Sequence, residues 1–110
     1  TSVDREGTGL GFDVELVKSI TQIVDIPVIA HGGANSEEDI LKVIIIGQCD
    51  AVAISSVLHY ETIKHINSQA DSKEGNTEFL KHNTIFSKIN PTTINKIKTY
   101  LINNNIPCRI

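Results

Sequence analysis

Apolar residues at Val14, Val17, Ile20 and Val24 recur at helical spacing, and Asp13 stands where an N-cap belongs, so residues 13–24 are predicted to form an amphipathic helix. Ile26-Pro27-Val28-Ile29-Ala30 follows without a gap. This short apolar run, rich in β-branched residues and with proline only near its start, predicts a strand buried on both faces, as in a parallel sheet. His31-Gly32-Gly33-Ala34-Asn35 reads as a loop, and Ser36-Glu37-Glu38-Asp39 as a capped helix start leading to a helix that reaches Ile46 and ends at Gly47. A second buried strand is expected over Ala51–Ile54, closed by Ser55-Ser56. Residues 68–76 are polar and predict an exposed excursion, with an insertion placed at about 61–90. Asn90-Pro91 then opens a last helix, with Asn90 at the cap, Pro91 at the first helical position and Ile94, Ile97 and Leu101 as the apolar stripe.

Alternating helices and strands with short connections predict βα units and a parallel α/β sheet. Thr1-Ser2-Val3-Asp4 has the look of the last residues of a strand whose beginning lies upstream, and two βα units with a truncated third do not close a barrel. The expected fold is therefore the C-terminal part of a (β/α)8 barrel, with residues 1–110 a fragment of a single domain.

Composition narrows the function classes. Ten basic and thirteen acidic residues are interspersed, for a formal net charge of -3, and form no basic stripe of the kind that neutralises nucleic-acid phosphates, so no nucleic-acid partner is expected. The longest apolar runs, Ile26–Ala30 and Val43–Ile46, are far shorter than the roughly 20 residues that span a bilayer, so no membrane partner is expected either. Cys49 and Cys108 lack metal-ligand spacing, and with no signal-peptide pattern at the start they are expected to be reduced thiols of a cytoplasmic protein.

Three strand ends carry small, polar or glycine residues: Asp4-Arg5-Glu6-Gly7-Thr8, His31-Gly32-Gly33-Ala34 and Ser55-Ser56. In a parallel barrel such junctions share the C-terminal face, where active sites are built. Gly32-Gly33 and Ser55-Ser56 suit one phosphate held between successive loops, because glycine admits a close anion and a following helix start points N–H groups at it. A Gly-Gly turn equally serves a tight connection. Asp4 and Glu6 have the chemistry of an acid, a base or a ligand-orienting group, and equally that of solvated carboxylates beside Arg5. His31 sits at the same mouth, either as a functional group or as a hydrogen-bonded structural residue. The remaining histidines, His59, His65 and His82, have no partner set that implies a metal.

Here a resemblance becomes specific. Thr1–Thr8 with Gly11-Phe12-Asp13 resembles the T-S-I-D-R-D-G-T…G-Y-D segment of the cyclase-subunit family of imidazole glycerol phosphate synthase. Pro27–Ala34 is similar to its P-V-I-A-S-G-G-A, Asp50–Tyr60 to its D-A-A-L-A-A-S-V-F-H-F, and the tail from Ile106 to its closing V-x-V-R-L. The resemblance implies a chain running from the end of strand six to helix eight, no cofactor, and a glutaminase partner that supplies ammonia. The implied reaction converts a doubly phosphorylated nucleotide into imidazole glycerol phosphate and an aminoimidazole carboxamide nucleotide in histidine biosynthesis. It assigns Gly33, Ser55 and Ser56 to phosphate, and Thr1, Glu6 and Gly7 to the substrate-facing rim, while Gly32, Asp4 and His31 stay candidates on their own chemistry. The principal catalytic aspartates would lie on strands one and five, upstream, so the 110 residues alone are expected to be inactive. Glu6 in place of aspartate, His31 in place of serine and the long segment before the last helix depart from the pattern. They leave two alternatives: a paralogue paired with an amidotransferase in surface-sugar biosynthesis, and a non-catalytic half-barrel binding module.

Overall fold

A computed structural model describes residues 1–65 and 89–109, and the polar excursion, the 61–90 insertion as a whole, His82 and Ile110 lie outside those residues. The element order is α1 (Val14–Thr21), β1 (Ile29–His31), α2 (Glu37–Ile45), β2 (Ala51–Ala53), α3 (Ser56–His65) and α4 (Ile94–Asn103). β1 and β2 pair in parallel, Ile29 opposite Ala51, Ala30 opposite Val52 and His31 opposite Ala53, as the alternation of elements predicts. Among the described residues the sheet has these two strands.

α1, α2 and α4 each begin where a side chain replaces the missing intrahelical acceptor. The Asp13 carboxylate accepts from Leu16 N at 3.1 Å to start α1. At α2 a capping box forms: Asp39 N donates to the Ser36 hydroxyl at 3.3 Å, and the Asp39 carboxylate accepts from the amides of Ser36 (3.2 Å) and Asn35 (3.0 Å). Asp39→Ala removes the acceptor of two amides at once, and thermal or denaturant unfolding should record a loss of about 1–2 kcal/mol. Loss-free unfolding would show that this box does not hold the helix start.

One face of the sheet is covered. Ala30 (2 % exposed) packs with Ile40 and Val43 of α2, Val17 of α1, Ile97 and Leu101 of α4, and Phe12 and Cys49. The thiol of Cys49 donates to Val43 O at 3.5 Å, and burial pushes its pKa up, which keeps it protonated and unreactive. The opposite face is open: Ile29 is 61 % exposed, and Ala51 and Ala53 are exposed too. The expectation of strands buried on both faces is therefore corrected within the described residues, which supply helices to one side alone.

Other boundaries move for local reasons. α1 stops at Thr21 rather than Val24; Ile23 N and Val24 N still reach Ile20 O, but the chain then turns towards Pro27, which disfavours helix in the residue before it. β1 starts at Ile29 rather than Ile26, because Pro27 has no N–H and Val28 is engaged by Asp50. The Asp50 carboxylate accepts from Val28 N at 2.8 Å, while Asp50 N donates to Val28 O at 3.0 Å. α2 does end beside Gly47, yet the left-handed residue is Gln48 (φ 56°). Gly47 is small for another reason, since a Cβ there would strike Val43 O and the Val17 side chain.

Two expectations fail outright. Thr1–Asp4 is not a strand: one backbone bond, Ser2 N to His31 O at 3.0 Å, lays it beside β1, and residues 3–8 turn away. The last helix is capped by Thr93 rather than Asn90, with Lys96 N donating to the Thr93 hydroxyl at 3.2 Å. Asn90 and Pro91 precede it in an anchored segment. Asn90 N donates to the Asn35 side chain at 2.7 Å, Thr92 N to Val57 O at 3.2 Å, and the buried Thr92 hydroxyl to the Glu37 carboxylate. Ile94, now the first helical residue, is exposed, and Ile97 and Leu101 form the buried stripe.

Candidate functional site

The first loop is a series of tight turns. Glu6 N donates to Ser2 O at 3.1 Å, Thr8 N and the Thr8 hydroxyl both donate to Arg5 O, and Gly7, Gly9 and Gly11 all take positive φ. Arg5 turns its guanidinium onto Leu10 O at 3.3 Å, along the loop itself. Gly11 N then donates to Gly33 O at 2.8 Å, which fastens this loop to the one that follows β1.

After β1 the backbone passes through φ +101° at Gly32 and +98° at Gly33, a region that side-chain-bearing residues rarely adopt. A Cβ at Gly32 would lie 2.7 Å from Ser2 O, and one at Gly33 would collide with Gly11 O and the Arg5 Cβ. The close connection thus explains both glycines whether or not an anion approaches them. After β2, Leu58 N and His59 N both donate to Ser55 O at 3.0 Å, so α3 starts abruptly at the strand end. The amides of Ser56 and Val57 precede the first intrahelical donors, and the positive end of the ten-residue helix lies at the strand tips.

These three junctions enclose a cleft of about 230 Å³. Glu6, Gly7 and Gly9 line it from the first loop, His31 to Ala34 from the second, Ala53 to Ser56 from the third, with Ile89 beside them. Its size suits a phosphate-sized group better than a whole drug-sized ligand, which takes about 300–1,000 Å³. Seven of the nine sequence candidates, Glu6, Gly7, His31, Gly32, Gly33, Ser55 and Ser56, meet here. Thr1 stays outside the lining and reaches it through His31, its hydroxyl 3.2 Å from Nδ1. Asp4 is exposed and does not line the cleft. Sequence reasoning missed Gly9, Ala34, Ala53, Ile54 and Ile89. Gly9 sits in the same glycine-bearing loop and was legible in principle; Ile89 enters from a distant part of the chain with no local signal.

Among the described residues no lysine or arginine lines the cleft, and Glu6 is the one carboxylate that does. What it offers an anion is backbone N–H groups, a helix start, two hydroxyls and one imidazole.

Residues 1–64, which carry all three junctions, match the family described as histidine biosynthesis protein. The chain is 49 % identical over 63 residues to imidazole glycerol phosphate synthase subunit HisF of Alkaliphilus metalliredigens, covering 57 % of this chain and 25 % of that protein. It is 47 % identical over 70 residues to the HisF subunit of Prochlorococcus marinus strain AS9601, and 46 % identical over 59 residues to that of Symbiobacterium thermophilum. These alignments cover 62 % of this chain and 27 % of the Prochlorococcus protein, and 54 % and 23 % for the Symbiobacterium one. The chain thus spans about a quarter of the length of the curated relatives it matches. A family match that takes in more than half of the chain, together with the parallel βα units and the three-loop cleft it covers, makes this a HisF-like chain belonging to the histidine biosynthesis protein family.

Proposed function

We propose that these residues form the end of strand six through helix eight of a (β/α)8 barrel that works as the cyclase subunit of imidazole glycerol phosphate synthase, and that the cleft holds one phosphate of its substrate. The observation that carries this reading is the convergence of Gly33, Ser55 and Ser56 on one cleft at the C-terminal ends of two parallel strands. Two further features support a larger barrel. The sheet face bearing Ile29, Ala51 and Ala53 is uncovered, as a barrel interior would be before its other strands are added. The outermost helices also keep apolar side chains in solvent, Leu16 and Ile20 on α1 and Ile94 and Ile102 on α4, where neighbouring helices of a closed ring would pack.

In this reading the partner is a glutaminase subunit delivering ammonia, the substrate is a doubly phosphorylated nucleotide, and the compartment is the cytoplasm. Thr1, Glu6 and Gly7 belong to the substrate-facing rim, and the principal catalytic aspartates lie outside residues 1–110. The HisF names of the relatives favour this chemistry over the surface-sugar paralogue.

Ser55→Asp tests the phosphate assignment. The exposed Ser55 precedes α3, a position where aspartate is as good a cap as serine, so the fold should be retained while a negative charge enters the cleft. In the complete protein, titration with inorganic phosphate should show affinity falling by about tenfold or more, since like charges at contact distance repel strongly in a partly dry site. Unchanged affinity in a folded variant would remove phosphate from this cleft.

A further inference from the structure

We propose that His31 is the anion-specificity residue of the cleft: Thr1 holds its Nδ1, and its Nε2–H donates to an oxygen of the phosphate lodged against Gly33 and Ser56. This deepens the phosphate reading and rests on it. Three observations lead here. Among the described residues the cleft has no lysine or arginine, and Glu6 opposes any anion, so of these lining side chains His31 is the one with a cationic form. Arg5, the nearest candidate cation in sequence, is committed to Leu10 O and does not line the cleft. His31 is half-buried at the tip of β1, in register with Ala53, two residues before Ser55, so the ring rises from the same strand-end layer that supplies the two serines.

The hydrogen bond at Nδ1 gives the ring its chemistry. Whatever engages one imidazole nitrogen selects the proton on the other. In this assignment the Thr1 hydroxyl, 3.2 Å from Nδ1, is the donor of the pair, which leaves the ring proton on Nε2 and makes that nitrogen a donor to the cleft. The resembling motif carries serine here, a shorter group with a single rotating hydroxyl. The histidine therefore supplies a longer, directional donor to a site otherwise built from backbone amides and serines, and among the described lining residues the charged group beside it is Glu6 from the first loop.

The test is a titration of the complete protein with inorganic phosphate, followed through the amide resonances of Gly33 and Ser56 and the Nε2 nitrogen shift of His31. Phosphate should move all three. His31→Ala should weaken binding by about tenfold, the usual worth of a hydrogen bond to a charged group. His31→Gln places an amide N–H near the Nε2 position and should stay within roughly threefold of the parent, whereas His31→Asn, which mimics Nδ1, should be as weak as alanine. A merely structural histidine would not separate glutamine from asparagine. If the two amides respond but His31→Ala binds as tightly as the parent, or glutamine is as poor as alanine, the histidine assignment falls and the phosphate cleft stands. If phosphate moves neither amide, the cleft reading fails and takes this inference with it.

Discussion

Gly33→Ala should destabilise the complete protein by roughly 3 kcal/mol or more, seen as a lower denaturant midpoint at unchanged slope. Two costs add at this position. A φ of +98° strains any residue with a Cβ, and the new methyl group has no room, because Gly11 O and the Arg5 Cβ already occupy its place. Gly7→Ala is the matched control: φ is +70°, but nothing lies within 4 Å of the added carbon, so only the backbone strain of about 1 kcal/mol remains. Equal losses at the two glycines would show that the close approach of the two loops is not what Gly33 serves. Because Gly33 O also receives the Gly11 amide, a bulkier residue there detaches the first loop before it touches any ligand. Weaker phosphate binding by a Gly33 variant thus follows from a displaced loop as readily as from a blocked anion site, which is why Ser55 and His31 are the cleaner probes.

The 110-residue chain by itself should not be a stable, monodisperse monomer. Val3, Ile23, Ile26 and Ile29 are each more than 60 % exposed. Covering a side chain of this size is worth about 2 kcal/mol, so these four together approach the ~5–15 kcal/mol that stabilises a whole domain. Light scattering coupled to size exclusion should find concentration-dependent association or a broad melt, relieved when the upstream part of a complete barrel is supplied in trans. A monomer with one sharp cooperative transition would show that residues 1–110 satisfy their own surfaces, and the barrel-fragment reading would be lost.

The pairing of β1 with β2 and the position of α2 were legible because they rest on local rules: β-branched runs too short for helices, a capping box written as Ser36 and Asp39, and connections too short for anything but βα succession. The meeting of the loops after β1 and β2 was legible for the same reason, since strand ends of a parallel sheet share a face, whereas the first loop follows no strand and is brought there by its bond from Gly11 N to Gly33 O. What the sequence hid was decided at a distance. Asn90-Pro91 looks like a helix start until Asn35, Val57 and Glu37 take up the polar groups of residues 90–92. Thr1–Asp4 looks like a strand, but one bond to His31 O is all the backbone pairing to β1 that this stretch makes. Gly33 is ambiguous in sequence, because room for an anion and room for Gly11 O ask for the same missing side chain.

Asp50 touches neither the cleft nor the core, yet it governs the fidelity of both. Its carboxylate and its amide hold the two polar groups of Val28, fixing where β1 and β2 begin to pair. Side chains alternate along a strand, so a slip of one residue would turn Ile29 inward in place of Ala30 and carry His31 out of line with Ala53 and the serines beyond it. Any such misaligned pairing leaves the Asp50 carboxylate without the Val28 amide. The aim of the binding residues at the top of the sheet is thus proofread at its bottom, by an aspartate outside the cleft.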